Sequence, residues 1–122
     1  ASARRALALS GADGVMVGRG AQGAPWRLAE IAHALHGTPA PVIPQGAALA
    51  DLVADHYQAI LGFYGTALGV KVARKHLGWY LDASVGAIAA RAELLTATDP
   101  AAVLRLIRSA FGDSAPPTKA AA

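Results

Sequence analysis

The chain has 122 residues, of which 54% are hydrophobic and 16% charged, and its formal net charge is +3. This hydrophobic content excludes an intrinsically disordered chain, and a complete (β/α)8 barrel needs roughly 250 residues. The absence of cysteine excludes a disulfide framework, a zinc–thiolate site and a cysteine nucleophile within these residues. No apolar run approaches the roughly 20 residues of a membrane span, and no signal peptide opens the chain. We therefore expect a cytoplasmic protein that does not contact a membrane.

The beginning of the chain has the pattern of an α/β fold. Residues 3–9 predict the end of a helix, and 15–17 form a short apolar run between glycines, typical of a buried parallel strand. A glycine-rich loop at 18–24 and a helix at about 25–35 follow. The side chains expected to be buried by this helix are Trp26, Leu28, Ile31 and Leu35. The sheet around the single strand would have to come from outside the chain.

Proline and glycine divide the chain into domains. Proline and glycine recur through residues 37–47, as is typical of a linker. We therefore place a first domain at 1–36 and a second at 48–112. The tail at 113–122 is expected to be disordered. The fold class is thus mostly α: the last βα unit of an incomplete (β/α)8 barrel, followed by a small four-helix bundle.

The apolar spacing in the second domain predicts helices at about 48–64, 70–81 and 85–95. A fourth helix begins at Asp99-Pro100, where aspartate caps the helix and proline fits its first turn. The core positions expected on the first and fourth of these helices are Leu49, Val53, Ile60, Tyr64, Val103, Leu104, Ile107, Ala110 and Phe111.

The glycine-rich loop matches the pattern G-x-G-x-x-G at 18–23. A dinucleotide site is disfavoured, because no strand follows the helix and no acidic residue lies about 20 positions on to hold a ribose. A loop of small residues before a helix also presents backbone N–H groups to a phosphate, and Arg19 adds positive charge there. The alternative, in which the glycines only allow a tight turn and Arg19 is solvated, stays open.

A cationic stripe is the main feature of the predicted helix at 70–81. Lys71, Arg74 and Lys75 share an arc of about 100° with Gly78, opposite an apolar face. Such a concentration of positive charge suits a polyanion such as RNA, and Gly78 would let a backbone or phosphate come close. The alternative is an ordinary solvated helix face.

Four further side chains bear on this stripe. His76 falls within the apolar arc, which favours a packed, hydrogen-bonded histidine over a ligand, and Trp79 borders the stripe, where it either stacks on a base or covers the core. Arg105 and Arg108 either extend the cationic surface or are plain solvent-facing residues.

Two runs of sequence resemble a known family. The run GVMVGRGAQGAPW at 14–26 resembles the last-strand motif of bacterial tRNA-dihydrouridine synthases, of the branch similar to nitrogen-regulation proteins. His56-Tyr57, Tyr64-Gly65 and the run ARKHLGWYL at 73–81 resemble the helical domain of the same family. The second run is the more specific, since many FMN-dependent barrels share the glycine loop.

The resemblance implies a flavin-containing barrel followed by a helical domain, which together reduce uridine in tRNA to 5,6-dihydrouridine with FMN and NADPH. It also implies that Gly18 and Arg19 contact the FMN phosphate, and that Lys71, Arg74 and Lys75 bind tRNA. The proton-donating cysteine of the family would lie upstream, so we expect this chain alone to be inactive. We further expect a monomer that binds no metal.

Two other interpretations remain open. The chain could belong to another FMN-dependent barrel oxidoreductase that acts on a small molecule, although the cationic helical domain then has no purpose. It could also be a non-enzymatic helical RNA-binding module, although the apolar run at 15–17 then has no use.

Overall fold

The computed structural model describes residues 2–84 and 88–112, which form helices and irregular segments. The chain divides into two compact units, Ala1–Ile43 and Pro44–Ala122. The mostly α composition predicted from the sequence is confirmed.

The first unit contains two helices, α1 (Ser2–Ser10) and α2 (Arg27–His36), and a short 3-10 turn at Arg19–Ala21. The Arg4 guanidinium ties the two helices together, because its Nε donates a hydrogen bond to the carbonyl oxygen of Ala34 at 3.1 Å. Helix α2 ends at Gly37, whose φ of 67° is the left-handed conformation that glycine adopts without strain.

The predicted strand at 15–17 is wrong for this structure. No residue in 2–84 or 88–112 is in a strand, and Val15 and Met16 are 36% and 85% exposed. The physical reason is that the backbone groups of a strand need a neighbouring strand, and the described part of the chain offers none. Whether this segment belongs to a barrel stays a prediction.

The expected burial along α2 is also wrong. No residue of α2 itself is buried, Trp26, Ile31 and Leu35 are half-buried, and Leu28 is 54% exposed. The helix has an apolar face, but a unit of this size has too little surface to cover it.

The second unit contains α3 (Ala47–Tyr64), α4 (Thr66–Ala83), a 3-10 turn at Ile88–Ala90, α5 (Arg91–Thr96) and α6 (Pro100–Gly112). Helices α3 and α4 form a hairpin that packs against α6, and α5 contacts α4 and α6. The core between them contains Leu49, Val53, Tyr57, Ile60, Val70, Ala73, Leu77, Tyr80, Leu81, Leu94, Val103, Ile107 and Phe111.

The turn between α3 and α4 follows the prediction at Gly65 but not at Gly69. Gly65, with φ of 80°, makes the break, whereas Gly69 lies inside α4, which therefore begins four residues earlier than predicted. A Cβ at Gly69 would lie 2.9 Å from Cα of Leu61, so the absence of a side chain lets the two helices approach closely. Tyr64, expected in the core, is 46% exposed at this turn.

The later helices follow the prediction in part. Asp99 caps α6 as expected, because its Oδ2 accepts a hydrogen bond from Ala102 N at 3.2 Å. Leu104 and Ala110, expected in the core, are only half-buried. The predicted third helix is a 3-10 turn followed by the six-residue α5, and its predicted start at Val85 lies outside the described residues, as does the tail at 113–122.

Candidate nucleic-acid interface

The three predicted RNA-binding residues lie on one helix, α4. Lys71 and Lys75 are exposed, while Arg74 is half-buried. The opposite face of the helix is anchored in the core through Val70, Ala73, Leu77, Tyr80 and Leu81. The packed face therefore holds the helix in position and keeps the two lysines directed to solvent.

The charges of this stripe are not compensated. Among the residues that the structure describes, neither lysine nor Arg74 forms an ion pair within 4.0 Å. The ion pairs found among the described residues of the second unit involve other cations: Arg91 binds Asp82 at 2.6 Å and Arg108 binds Asp51 at 3.3 Å. An unpaired cluster of cations is what a polyanion would neutralise.

Of the two arginines on α6 that could extend the stripe, one is free of ion pairs with the described residues. Arg108 is engaged by Asp51 on α3, whereas Arg105 is exposed and forms no ion pair with any described residue.

Gly78 does not provide the open approach that the sequence suggested. It is buried, and a Cβ at this position would lie 3.9 Å from Nη2 of Arg91, so the arginine of α5 covers it. Arg91 is the residue that sequence reasoning missed. The signal for it was weak, because an arginine at the start of a short helix has no pattern linking it to α4.

An aromatic and histidine cluster connects α3 with α4. The rings of His56 and His76 meet edge to face at a centroid distance of 4.8 Å, and His76 meets Trp79 in the same way at 5.0 Å. Nδ1 of His56 lies 2.9 Å from the hydroxyl oxygen of Tyr80, at hydrogen-bonding distance. His76 is packed as predicted, but the hydrogen bond belongs to His56.

Burial shifts the ionisation of this cluster. Desolvation lowers the pKa of His56 and His76, and the neighbouring His76 lowers the pKa of His56 further. Desolvation raises the pKa of Tyr80. The two histidines are therefore neutral at pH 7, and the positive charge of this surface comes from the lysines and arginines.

The predicted phosphate loop lies in the first unit. Arg19 begins the 3-10 turn, where its side chain is exposed and has no ion pair with any described residue. Carbonyl oxygens of Gly18 and Arg19 accept hydrogen bonds from the backbone N–H groups of Ala21 and Gln22, each at 3.1 Å. These two N–H groups are thus engaged within the turn and do not face a phosphate as the sequence suggested, whereas the exposed guanidinium of Arg19 is a donor that fits a phosphate group.

A cavity of about 540 Å³ lies next to this loop. It is lined by α1, α2 and the segment between them, including Gly18, Gly20, Arg4 and Arg27, but not by Arg19. The structure thus places Gly18 at the cavity and Arg19 beside it.

No helix in the described part of the chain is long and apolar enough to cross a membrane.

Comparisons with known proteins identify the family. The chain matches the family described as "Dihydrouridine synthase (Dus)" over residues 1–115. It is 63% identical over 113 residues to a "Probable tRNA-dihydrouridine synthase" of Rhodobacter capsulatus, which covers 93% of this chain and 34% of that protein.

Other relatives agree. A protein with the same name from Rickettsia conorii is 45% identical over 84% of this chain and 31% of its own length. A "tRNA-dihydrouridine synthase B" of Xanthomonas axonopodis is 41% identical over 89% of this chain and 33% of its own length. The chain spans about a third of the length of these relatives. On this similarity, which extends over nearly all of its sequence, the chain belongs to the dihydrouridine synthase family.

Proposed function

We propose that this chain is the tRNA-binding part of a tRNA-dihydrouridine synthase, an oxidoreductase that reduces uridine in tRNA to 5,6-dihydrouridine. The names of the relatives support the reaction class, since they are called tRNA-dihydrouridine synthases. In this proposal the chain is the C-terminal part of the enzyme, the second unit binds tRNA, and the first unit completes a flavin-containing barrel in a monomeric, cytoplasmic protein.

One observation carries the assignment of the RNA surface. Lys71, Arg74 and Lys75 share a helix whose other side is fixed in the core, and no acidic group of the described residues pairs with them. Each phosphate contact releases counterions from the RNA, so three such contacts provide affinity without reading a sequence.

The glycine loop would hold the phosphate of FMN. The exposed guanidinium of Arg19 supplies the charge, and Gly18 keeps the approach free of a side chain. When bound, the flavin supplies hydride transfer, with NADPH as the reductant. This chain has no cysteine to donate the accompanying proton, so we propose that it is inactive without the rest of the enzyme.

A domain graft tests the proposal. The matching 113 residues of the Rhodobacter capsulatus protein would be replaced by this chain, since the two are 63% identical. The grafted enzyme is expected to retain flavin and to form dihydrouridine in tRNA with NADPH. The triple variant Lys71→Ala/Arg74→Ala/Lys75→Ala is expected to retain flavin but to raise the KM for tRNA.

Two outcomes would contradict the proposal. A graft that is folded and yellow but forms no dihydrouridine would refute the shared function. Unchanged KM for tRNA in the triple variant would refute the placement of the RNA surface on α4. An Arg105→Ala/Arg108→Ala graft is the matched comparison, because it removes charge from α6 instead.

A further inference from the structure

A shallow cavity lies between the first turns of α4 and the segment that joins α5 to α6. It has a volume of about 160 Å³ and is lined by Thr66, Ala67, Val70, Lys71, Arg74 and Thr98. The two cations of the stripe that line it thus face two threonines, one of them from a different part of the fold.

The polar groups at this cavity are not engaged with one another. The Nε atom of Arg74 is buried and has no hydrogen-bond partner among the described residues. The hydroxyls of Thr66 and Thr98 form no hydrogen bond with any residue that the structure describes. The nearby Thr96 hydroxyl, by contrast, donates to the carbonyl oxygen of Ala92 at 2.7 Å. A buried donor without a partner is costly, so a missing acceptor is expected at this place.

The charge balance favours an anion as that acceptor. Asp99 is the acidic residue next to Thr98, and its carboxylate is already engaged with the N–H of Ala102 at the start of α6. It does not line the cavity. Asp99 and Arg74 are not within ion-pair distance of each other.

We propose that this cavity, lined by Lys71, Arg74, Thr66 and Thr98, seats one phosphodiester group of a bound RNA. The inference rests on the proposed function. It adds that the cavity holds one backbone phosphate by hydrogen bonds, while Lys75, the remaining residue of the stripe, binds RNA by charge alone. Two hydroxyls and a guanidinium provide several donors to a phosphate, while Lys75 lies outside the cavity and offers only an exposed ammonium.

Threonine-to-valine substitutions test the cavity without changing the charge. The probe is fluorescently labelled bulk tRNA, and its affinity for the 122-residue chain is measured by anisotropy. Thr98→Val and Thr66→Val are each expected to weaken binding by about tenfold or more, since each removes a hydrogen bond to a charged group. Thr96→Val is the control, because that hydroxyl is satisfied within α5 and should leave affinity within about twofold of the wild type.

A double-mutant cycle shows whether the groups act on the same phosphate. In a Lys71→Ala background the effect of Thr98→Val should shrink to less than about twofold, whereas in a Lys75→Ala background it should persist. If the chain binds tRNA and all three valine variants bind it as tightly as the wild type, the proposed phosphate site in the cavity is refuted, whereas the proposed RNA surface on α4 is not. If the wild-type chain binds no tRNA, the proposed function and the cavity fail together.

Discussion

Replacing Gly69 by alanine should push α3 and α4 apart. The new Cβ would lie 2.9 Å from Cα of Leu61 and 3.3 Å from the carbonyl oxygen of Ile60. Both atoms belong to the backbone, so no side-chain rotation relieves the contact. Ordinary van der Waals contact begins at 3.4 Å, which means that the helices must separate by about 3.4 − 2.9 = 0.5 Å.

Two opposing terms set the size of the effect. Alanine improves the helix propensity of this position by about 1 kcal/mol. Overpacking a tight interface costs about 1–3 kcal/mol, and a backbone neighbour places this site at the upper end of that range. We therefore expect Gly69→Ala to lower the free energy of unfolding by about 1–2 kcal/mol.

Gly62 provides the matched control within the same hairpin. It lies in α3, and a Cβ there would meet nothing within 4 Å. Gly62→Ala should therefore raise the free energy of unfolding by about 0.5–1 kcal/mol. Urea denaturation followed by circular dichroism at 222 nm measures both values. If the two alanine variants are equally stable, the close approach of α3 and α4 is refuted.

Three other predictions concern the second unit. Burial lowers the pKa of His56 and His76 below 6.5, so the unfolded state takes up protons first as the pH falls, and stability should be lost from about pH 6.5 toward the folded pKa values. Between about pH 7.5 and 5, the Tm of His76→Gln should therefore fall less steeply than that of the wild type. The same pH dependence in both proteins would contradict this prediction. Asp99→Ala removes the cap of α6 and should cost about 1 kcal/mol in urea denaturation, and no loss would contradict the capping bond. The hydroxyl of Tyr57 is buried without a described partner, so Tyr57→Phe should leave the stability unchanged or raise it by up to about 1 kcal/mol, and a loss above about 1 kcal/mol would reveal a partner.

Local sequence signals predicted the second unit well where a residue acts through its own neighbours. Asp99 and Pro100 place the start of α6 because capping depends on only a few adjacent residues. The core positions Leu49, Val53 and Ile60 follow from helical periodicity.

Predictions failed where the outcome depends on partners distant in sequence. The run at 15–17 has the composition of a strand, but strand formation requires pairing that the described chain does not offer. Gly69 lies just before the helix predicted at 70–81 but inside the observed α4, because propensity alone does not show that Leu61 packs against it. Arg91 covers Gly78 through a tertiary contact that no spacing rule contains.

The candidate site was likewise predictable from local sequence pattern only in part. The alignment of Lys71, Arg74 and Lys75 on one helix was predictable from the 3.6-residue period. These three residues have no acidic partner within the described part of the chain, while Arg91 and Arg108 each have one. This difference depends on how the helices of the second unit pack. Only the structure brings Thr98 to the same cavity as Lys71.

A salt-dependent titration of tRNA onto this chain tests the central claim most directly. Three phosphate contacts through Lys71, Arg74 and Lys75 predict a slope of log affinity against log salt of about −2 to −3, or a loss of roughly 16- to 64-fold between about 50 and 200 mM salt. In the triple alanine variant the slope should fall close to zero and binding should be largely lost. Binding with an unchanged slope in that variant would contradict the claim, because the RNA would then be held elsewhere on the chain.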